Sequence, residues 1–371
     1  MTTTQDDTLV ICGAAAVDGI QNFGDELLQQ IYTRWAQEAD PGLHVVMHGT
    51  DEASALADGT RLRGVGFIGG GYLGEKATGR GALHEWLRNG AWGVRNQLLY
   101  GSALALARRH GVPHCVSSVE FGPISNPFYR AFAVRLLSTA EHATVRNPDS
   151  REFAIRYGVS AGKVNVCPDV ALELTRRTVQ QARSGEPPRI GLHLHAVGGE
   201  TWREGIATLV NAALQNGLKG AEICFIYDQV KAGERPASAR KAEAFARERW
   251  PDVRVIPYEN VEQLLSRLDE MNLIITTKLH VGVVGRALHR QVLSLPVVAD
   301  ARRFAVTKMP RFYRSIDEAW RCVDLTSDAM PESLLRFAST VSPEAAPLPV
   351  TYLDQVLTER ERYSRFVLSR A

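Results

Sequence analysis

Leu273-Ile274-Ile275-Thr276-Thr277-Lys278-Leu279-His280-Val281 is the stretch whose reading decides the fold. Its first residues form a short apolar run of the kind a buried strand uses. Val281, Val284 and Leu288 then recur at helical spacing, so a strand runs directly into a helix. Lys278 and His280 fall at the junction. A parallel sheet would present both at the carboxyl end of a strand, where ligands of open α/β sheets bind. The free N–H groups of the following helix add a partial positive charge. Phosphate or carboxylate suits such a place. On local pattern alone, a solvated Lys278 and a packing His280 fit the spacing equally well.

The same alternation of short apolar runs and longer amphipathic stretches extends in both directions. Leu9–Cys12, His44–Met47, Val65–Ile68, Pro113–Val116, His142–Val145 and Val164–Val166 read as strands of a first set. Asn22 opens a helix whose first turn carries Asp25 and Glu26, and Leu27, Leu28, Ile31 and Trp35 line one face of it. Ser184-Gly185-Glu186-Pro187-Pro188 interrupts the pattern and reads as a linker. A second set follows with Ile190–Leu194, Ile223–Ile226, Val253–Ile256, Leu273–Ile275 and Val292–Leu295. Asn260 caps a helix with Val261, Leu264, Leu265 and Leu268 on its apolar face. Alternating strands and helices imply parallel sheets with helices on both faces. We therefore expect one Rossmann-like domain over 1–183 and a second over 189–345. A last helix within 346–371 could pack back on the first domain. The two sheets are expected to face a central cleft.

The chain has 371 residues, long enough for two cores. It is 45% hydrophobic and 23% charged, with a net charge of only +2. That balance gives no reason to expect a nucleic-acid coat. Five cysteines without a C-x-x-C pair read as reduced core residues of a cytoplasmic protein. No segment reads as a signal peptide or as a membrane span.

Several other segments could carry chemistry. Gly69-Gly70-Gly71-Tyr72-Leu73-Gly74 satisfies G-x-G-x-x-G, but it follows a third strand and opens no clear apolar helix. Close backbone approach to a ligand and a plain glycine turn both explain it. Arg146 follows a strand and precedes the Asn147-Pro148 helix start. There a guanidinium could grip a carboxylate with two bonds, or form an ordinary salt bridge. Asp169 reads as a turn cap. Lys308 lies in a basic loop with Arg302, Arg303 and Arg311. His193 and His195 alternate along a strand, which would permit a metal site but gives it little support. We find no Walker A sequence, no G-x-S-x-G elbow and no H-E-x-x-H.

In order and spacing these segments resemble the polysaccharide pyruvyl transferases. The family's N-x-G-D helix start is matched by Asn22-Phe23-Gly24-Asp25, and its glycine triplet by Gly69-Gly70-Gly71. Phe121-Gly122-Pro123, Val145-Arg146 with Ser150, and Gly158 through Asp169 match further stretches. Lys278-Leu279-His280 resembles the family's R-L-H motif, with lysine where arginine is usual, and Lys308 resembles a downstream basic position. The likeness spans about Leu9 to Met309. Lysine keeps the charge but loses the two-pronged grip of a guanidinium.

The resemblance implies a GT-B-like fold, phosphoenolpyruvate as donor and a sugar diol as acceptor, with a cyclic pyruvate ketal and phosphate as products. It implies His280 and Arg146 as catalytic residues. Lys278, Leu279, Lys308, Gly70, Gly71, Asn22 and Asp25 would bind substrate. His280 would protonate the donor's methylene carbon or deprotonate the attacking hydroxyl. Neither a metal nor a cofactor is called for. A lipid-linked acceptor would bring the enzyme to the inner membrane surface without an anchor. A nucleotide-sugar glycosyltransferase, a glycan- or anion-binding relative without turnover, and a dinucleotide oxidoreductase are the competing readings.

Overall fold

The computed structural model describes residues 7–13, 20–49, 61–71, 73–74, 82–176, 187–231, 233–297, 307–325, 337 and 345–369. Tyr72, Arg302, Arg303 and the Ser184-Gly185-Glu186 part of the linker lie outside them. The chain divides into two compact units. The first comprises Met1–Val17, Asp25–Val170 and Leu353–Ala371; the second comprises Asp18–Gly24 and Ala171–Tyr352.

The first unit holds a six-stranded, wholly parallel sheet. Its strands are β1 (Thr8–Cys12), β3 (His44–Met47), β4 (Leu62–Ile68), β5 (His114–Val119), β6 (Ala143–Val145) and β7 (Val164–Val166), in the order β3-β1-β4-β5-β6-β7. Counted from β1, this is the 2-1-3-4-5 order of flavodoxin-like sheets with one strand added. Helices α1 (Phe23–Ala39), α2 (Ala82–Arg109), α3 (Pro127–Thr139) and α4 (Pro148–Arg156) connect the strands. Val65, Phe67, Val116 and Val119 point to one face, where they share a buried core with Tyr100, Leu104, Tyr129, Leu136 and Leu137 of α2 and α3.

The opposite face is covered by residues from the far end of the sequence. Helix α10 (Val350–Leu368) fits there because β4 carries Gly64 and Gly66. A Cβ on Gly64 would lie 2.7 Å from Phe366, and one on Gly66 3.1 Å from the Tyr363 hydroxyl. Glu359 of α10 is fully buried and accepts from the Thr144 hydroxyl at 2.8 Å and from the Ser117 hydroxyl. Tyr32 of α1 joins the same network through Ser117 at 2.7 Å.

The second unit holds a five-stranded parallel sheet of β8 (Arg189–His193), β9 (Glu222–Ile226), β11 (Arg254–Ile256), β12 (Leu273–Thr276) and β13 (Gln291–Ser294). The order β11-β9-β8-β12-β13 is the 3-2-1-4-5 order of a dinucleotide-type Rossmann sheet, with its reversal between β8 and β12. Helices α5 (Glu200–Asn216), α6 (Ala237–Arg249), α7 (Val261–Asp269), α8 (Leu279–Ala287) and α9 (Lys308–Ser315) complete it. Asn260 caps α7 as expected, its side chain accepting from the Gln263 amide at 2.9 Å.

Two features depart from the sequence reading. Asp18–Gly24 belongs to the second unit, although it precedes most of the first in sequence. The reason is a two-stranded antiparallel ribbon, β2 (Ile20–Asn22) on β10 (Gln229–Lys231). Its polar residues carry no apolar strand signal, so it is invisible to periodicity. The changeover to the second unit also comes at Val170–Ala171, ahead of the expected 183.

Candidate functional site

The reversal of strand order in the second sheet brings the end of β8 beside the end of β12, with His193 and Thr276 as register partners. Connections leave these two strands on opposite sides, which opens a crevice at their carboxyl ends. The side chains there form a chain of contacts. His193 Nδ1 lies 2.8 Å from the Thr276 hydroxyl, and its Nε2–H donates to Asp228 Oδ1 at 3.1 Å. Asp228 follows β9 and is buried. Its two carboxylate oxygens accept from the Lys278 ammonium at 3.0 and 2.8 Å. Gln229 Oε1 accepts from the same ammonium at 2.6 Å.

Burial alone pushes the Asp228 carboxyl up, but Lys278 and His193 overcome this and hold it well below the usual carboxylate range. His195, just past β8, is pushed down to about 4, first by burial and then by the Lys278 ammonium; Asp228 opposes the shift, and His193 and Lys308 add to it. His195 is therefore a neutral imidazole at neutral pH. Its Nδ1 is buried without a hydrogen-bond partner among the described residues. The Thr277 hydroxyl holds the His195 backbone amide at 2.8 Å.

Helix α8 begins at this point. Its N-cap is Lys278, whose side chain makes no capping bond. Asn147 and Asn260 cap α4 and α7 in the ordinary way, whereas Lys278 offers α8 no side-chain acceptor. His280 stands in that first turn. The N-terminal motif meets it there: an ideal Cβ built on Gly24 would lie 1.9 Å from His280 Nδ1. Only glycine lets the backbone of that motif approach the ring so closely. Asn22 caps the start of α1, accepting from the Gly24 amide at 3.1 Å. The Phe23 amide donates to the Asp228 carbonyl at 2.9 Å, which ties this segment to the lysine's counter-ion.

Of the residues singled out in the sequence, the structure thus gathers Lys278, Leu279, His280 and Asn22 in the second unit. Lys308, the first residue of α9, is close enough to His195 to act on it electrostatically. Leu279 is buried and serves packing. Asp25, Gly70, Gly71 and Arg146 belong to the first unit. Gly70 has φ +98°, and its carbonyl accepts from the Glu120 amide at 2.9 Å. Gly69 packs so tightly that a Cβ would reach 2.7 Å from Leu28. These glycines let β4 end against its neighbours.

Arg146 follows β6 as expected. Its guanidinium is buried, with Nε 3.3 Å from the buried carboxylate of Asp169, while Nε and Nη2 make no hydrogen bond among the described residues. Sequence reasoning missed Asp228 and Gln229. Asp228 carries the same signal as Lys278, a charged residue just past an apolar strand, and could have been found by it. Among the described residues no group of three or more His, Cys, Asp or Glu side chains is placed to hold a metal ion.

Two parallel sheets of Rossmann type, the second reversing its strand order beside Lys278, make a GT-B-like α/β protein. Solved structures of this fold include the UDP-GlcNAc 2-epimerase from Methanocaldococcus jannaschii, with TM-score 0.53 and 10% identity over 95% of this chain and 99% of that one. The UDP-N-acetylglucosamine 2-epimerase from Rickettsia bellii gives TM-score 0.50 and 11% identity over 98% of this chain and 96% of that one. These likenesses concern the fold. No curated protein sequence matches the chain significantly. The family is shown by the sequence itself: residues 22–297 match the polysaccharide pyruvyl transferase model, and the chain belongs to that family of transferases.

Proposed function

We propose that the protein transfers the enolpyruvyl group of phosphoenolpyruvate to two hydroxyls of a sugar, forming a cyclic pyruvate ketal and releasing phosphate. Family membership supports the reaction class. The observation that carries the site is the seating of Gly24 against His280, because it joins the two ends of the family-matched region in one contact.

In this reading the first acceptor hydroxyl adds to C2 of the donor while a proton is delivered to C3. The second hydroxyl then attacks the same carbon, the C2–O bond to phosphate breaks, and its proton leaves with the phosphate. His280 moves the proton between hydroxyl and carbon, since an imidazole can both accept and donate a proton. The first-turn amides of α8 and the ammonium of Lys308 bind the donor's anionic groups. Lys278 joins them when its ammonium turns from Asp228. The acceptor is a glycan diol, free or lipid-linked, and neither a metal nor a cofactor is required.

The test is phosphate release from phosphoenolpyruvate in the presence of glycan diols. His280→Ala should lower the rate by about 10²- to 10⁴-fold, the usual share of a general acid–base group. Full activity in that variant would remove His280 from the mechanism.

One observation favours a second reading, a glycan- or anion-binding relative without turnover. The ammonium of Lys278 already makes three contacts to Asp228 and Gln229. Thermal protection by phosphoenolpyruvate without phosphate release across a panel of glycans would select that reading.

A further inference from the structure

The outer faces of α2 and α3 carry a surface unlike the rest of the molecule. Leu87, Val94, Leu98 and Phe128 are 57%, 54%, 71% and 76% exposed, and they are four of the seven large hydrophobic side chains so exposed among the described residues. Leu87, Ala91, Val94 and Leu98 follow one another at alternating steps of four and three, which sets them in one stripe along α2. Between Val94 and Leu98 the stripe is indented by a shallow groove lined by Ala91, Val94, Arg95, Leu98 and Leu99.

The two helices lie side by side on one face of the first unit's sheet, where both feed the same core. They approach closely because α2 has Gly93, whose Cβ would lie 3.2 Å from Tyr129 of α3. The opposite, outward faces therefore look the same way. On α3 that face presents Phe128, Ala131 and Arg135.

The charge on these helices is unbalanced. Helices α2 and α3 contain Arg88, Arg95, Arg108, Arg109, Arg130 and Arg135 against a single acid, Glu85. The whole chain is nearly balanced, with 43 basic and 41 acidic residues, so the imbalance is local. Arg95, Arg108, Arg109 and Arg135 are exposed. Apolar side chains flanked by an excess of arginines match the boundary between acyl chains and anionic headgroups.

We infer that the α2–α3 face docks on a lipid bilayer carrying anionic headgroups, with Leu87, Val94, Leu98 and Phe128 entering the interface and the arginines meeting lipid phosphates. It is a peripheral contact, since among the described residues no helix is long and apolar enough to cross a membrane. The inference does not depend on the reaction proposed above.

The full chain should cosediment with phosphatidylcholine vesicles containing phosphatidylglycerol and remain in the supernatant with phosphatidylcholine alone. Raising the salt from 0.1 to 0.5 M should weaken binding, because screening shortens the reach of the arginines. Leu98→Glu should reduce the partition coefficient by about tenfold or more, and Arg95→Gln by about fivefold. Both positions are exposed, and unchanged circular dichroism and melting would show that the variants fold. Equal binding to neutral and anionic vesicles, or binding untouched by Leu98→Glu, would overturn the inference. So would a dimer in light scattering that Leu98→Glu converts to monomer without any vesicle binding by the parent, since the face would then belong to a second copy.

Discussion

Each unit of the molecule places a cation immediately after a parallel strand and immediately before a helix, and the two cations have different fates. Arg146, after β6, has 1% of its side chain exposed and is paired with Asp169 at 0%. Lys278, after β12, keeps 21% exposure, although its partner Asp228 keeps only 6%. One junction is sealed into the interior and the other remains open to solvent. Position at the carboxyl end of a strand thus nominates a residue for a site, and depth of burial distinguishes the two that are nominated here.

The sharpest way to break this comparison is to remove the arginine. Arg146→Ala removes the guanidinium beside the buried Asp169 carboxylate, and loss of one partner of such a pair costs about 3–5 kcal/mol. Urea denaturation should show that loss. A variant of undiminished stability would mean that Arg146 is not structural.

The next effect concerns the open junction. Gly24→Ala drives a methyl group into the His280 ring, and overpacking of this kind costs about 1–3 kcal/mol. The displaced ring should lower activity more than stability. Equal activity in Gly24→Ala would separate the N-terminal motif from the site.

Lys278→Ala should be milder than Arg146→Ala. Asp228 retains the hydrogen bond from His193, so the loss should be about 1–3 kcal/mol, the penalty for a buried polar group left partly unsatisfied. A folded Lys278→Ala protein that has lost phosphoenolpyruvate binding would confirm the contrast between the two cations. One that binds as well as the parent would assign the anion to the α8 amides and Lys308 alone.

The smallest effect is a dependence on pH. His195 falls from an ordinary value near 6.5 in the unfolded chain to about 4 in the folded one. Between those values the unfolded chain binds the extra proton, so stability falls as pH drops from 6.5 towards 4 and this contribution is flat below 4. Partial solvent exposure of the ring keeps the effect on the order of 1 kcal/mol. Glutamine stands in for the neutral imidazole, so the melting curves of the parent and His195→Gln should run parallel above pH 6.5 and draw apart towards pH 4, the parent losing stability and the variant staying flatter.

The sequence made the parallel strands legible because most are short apolar runs with β-branched residues, and the central ones are buried on both faces. Asn22, Asn147 and Asn260 marked helix starts for the same physical reason, a side chain able to cap free amides. Lys278 and His280 were found by their position after such a strand. The β2–β10 ribbon escaped because Gln21, Asn22 and Gln229 show no apolar alternation. The Asp228–Lys278 and Arg146–Asp169 pairs escaped because pairing joins residues far apart in the chain, and a single sequence carries no signal of which charges meet.

The buried carboxylate of Glu359 bears on how the chain comes to be built. It closes bonds to Ser117 and Thr144, partners made 242 and 215 residues earlier. During synthesis the first sheet must wait, one face covered only by α1, while all of residues 171–352 emerge. The second unit has all its later strands in hand before α10 is translated. A growing chain therefore has reason to finish its later-made sheet before its earlier one, and a ribosome stalled before residue 359 would hold a first unit with its Gly64–Gly66 face still open to other apolar surfaces.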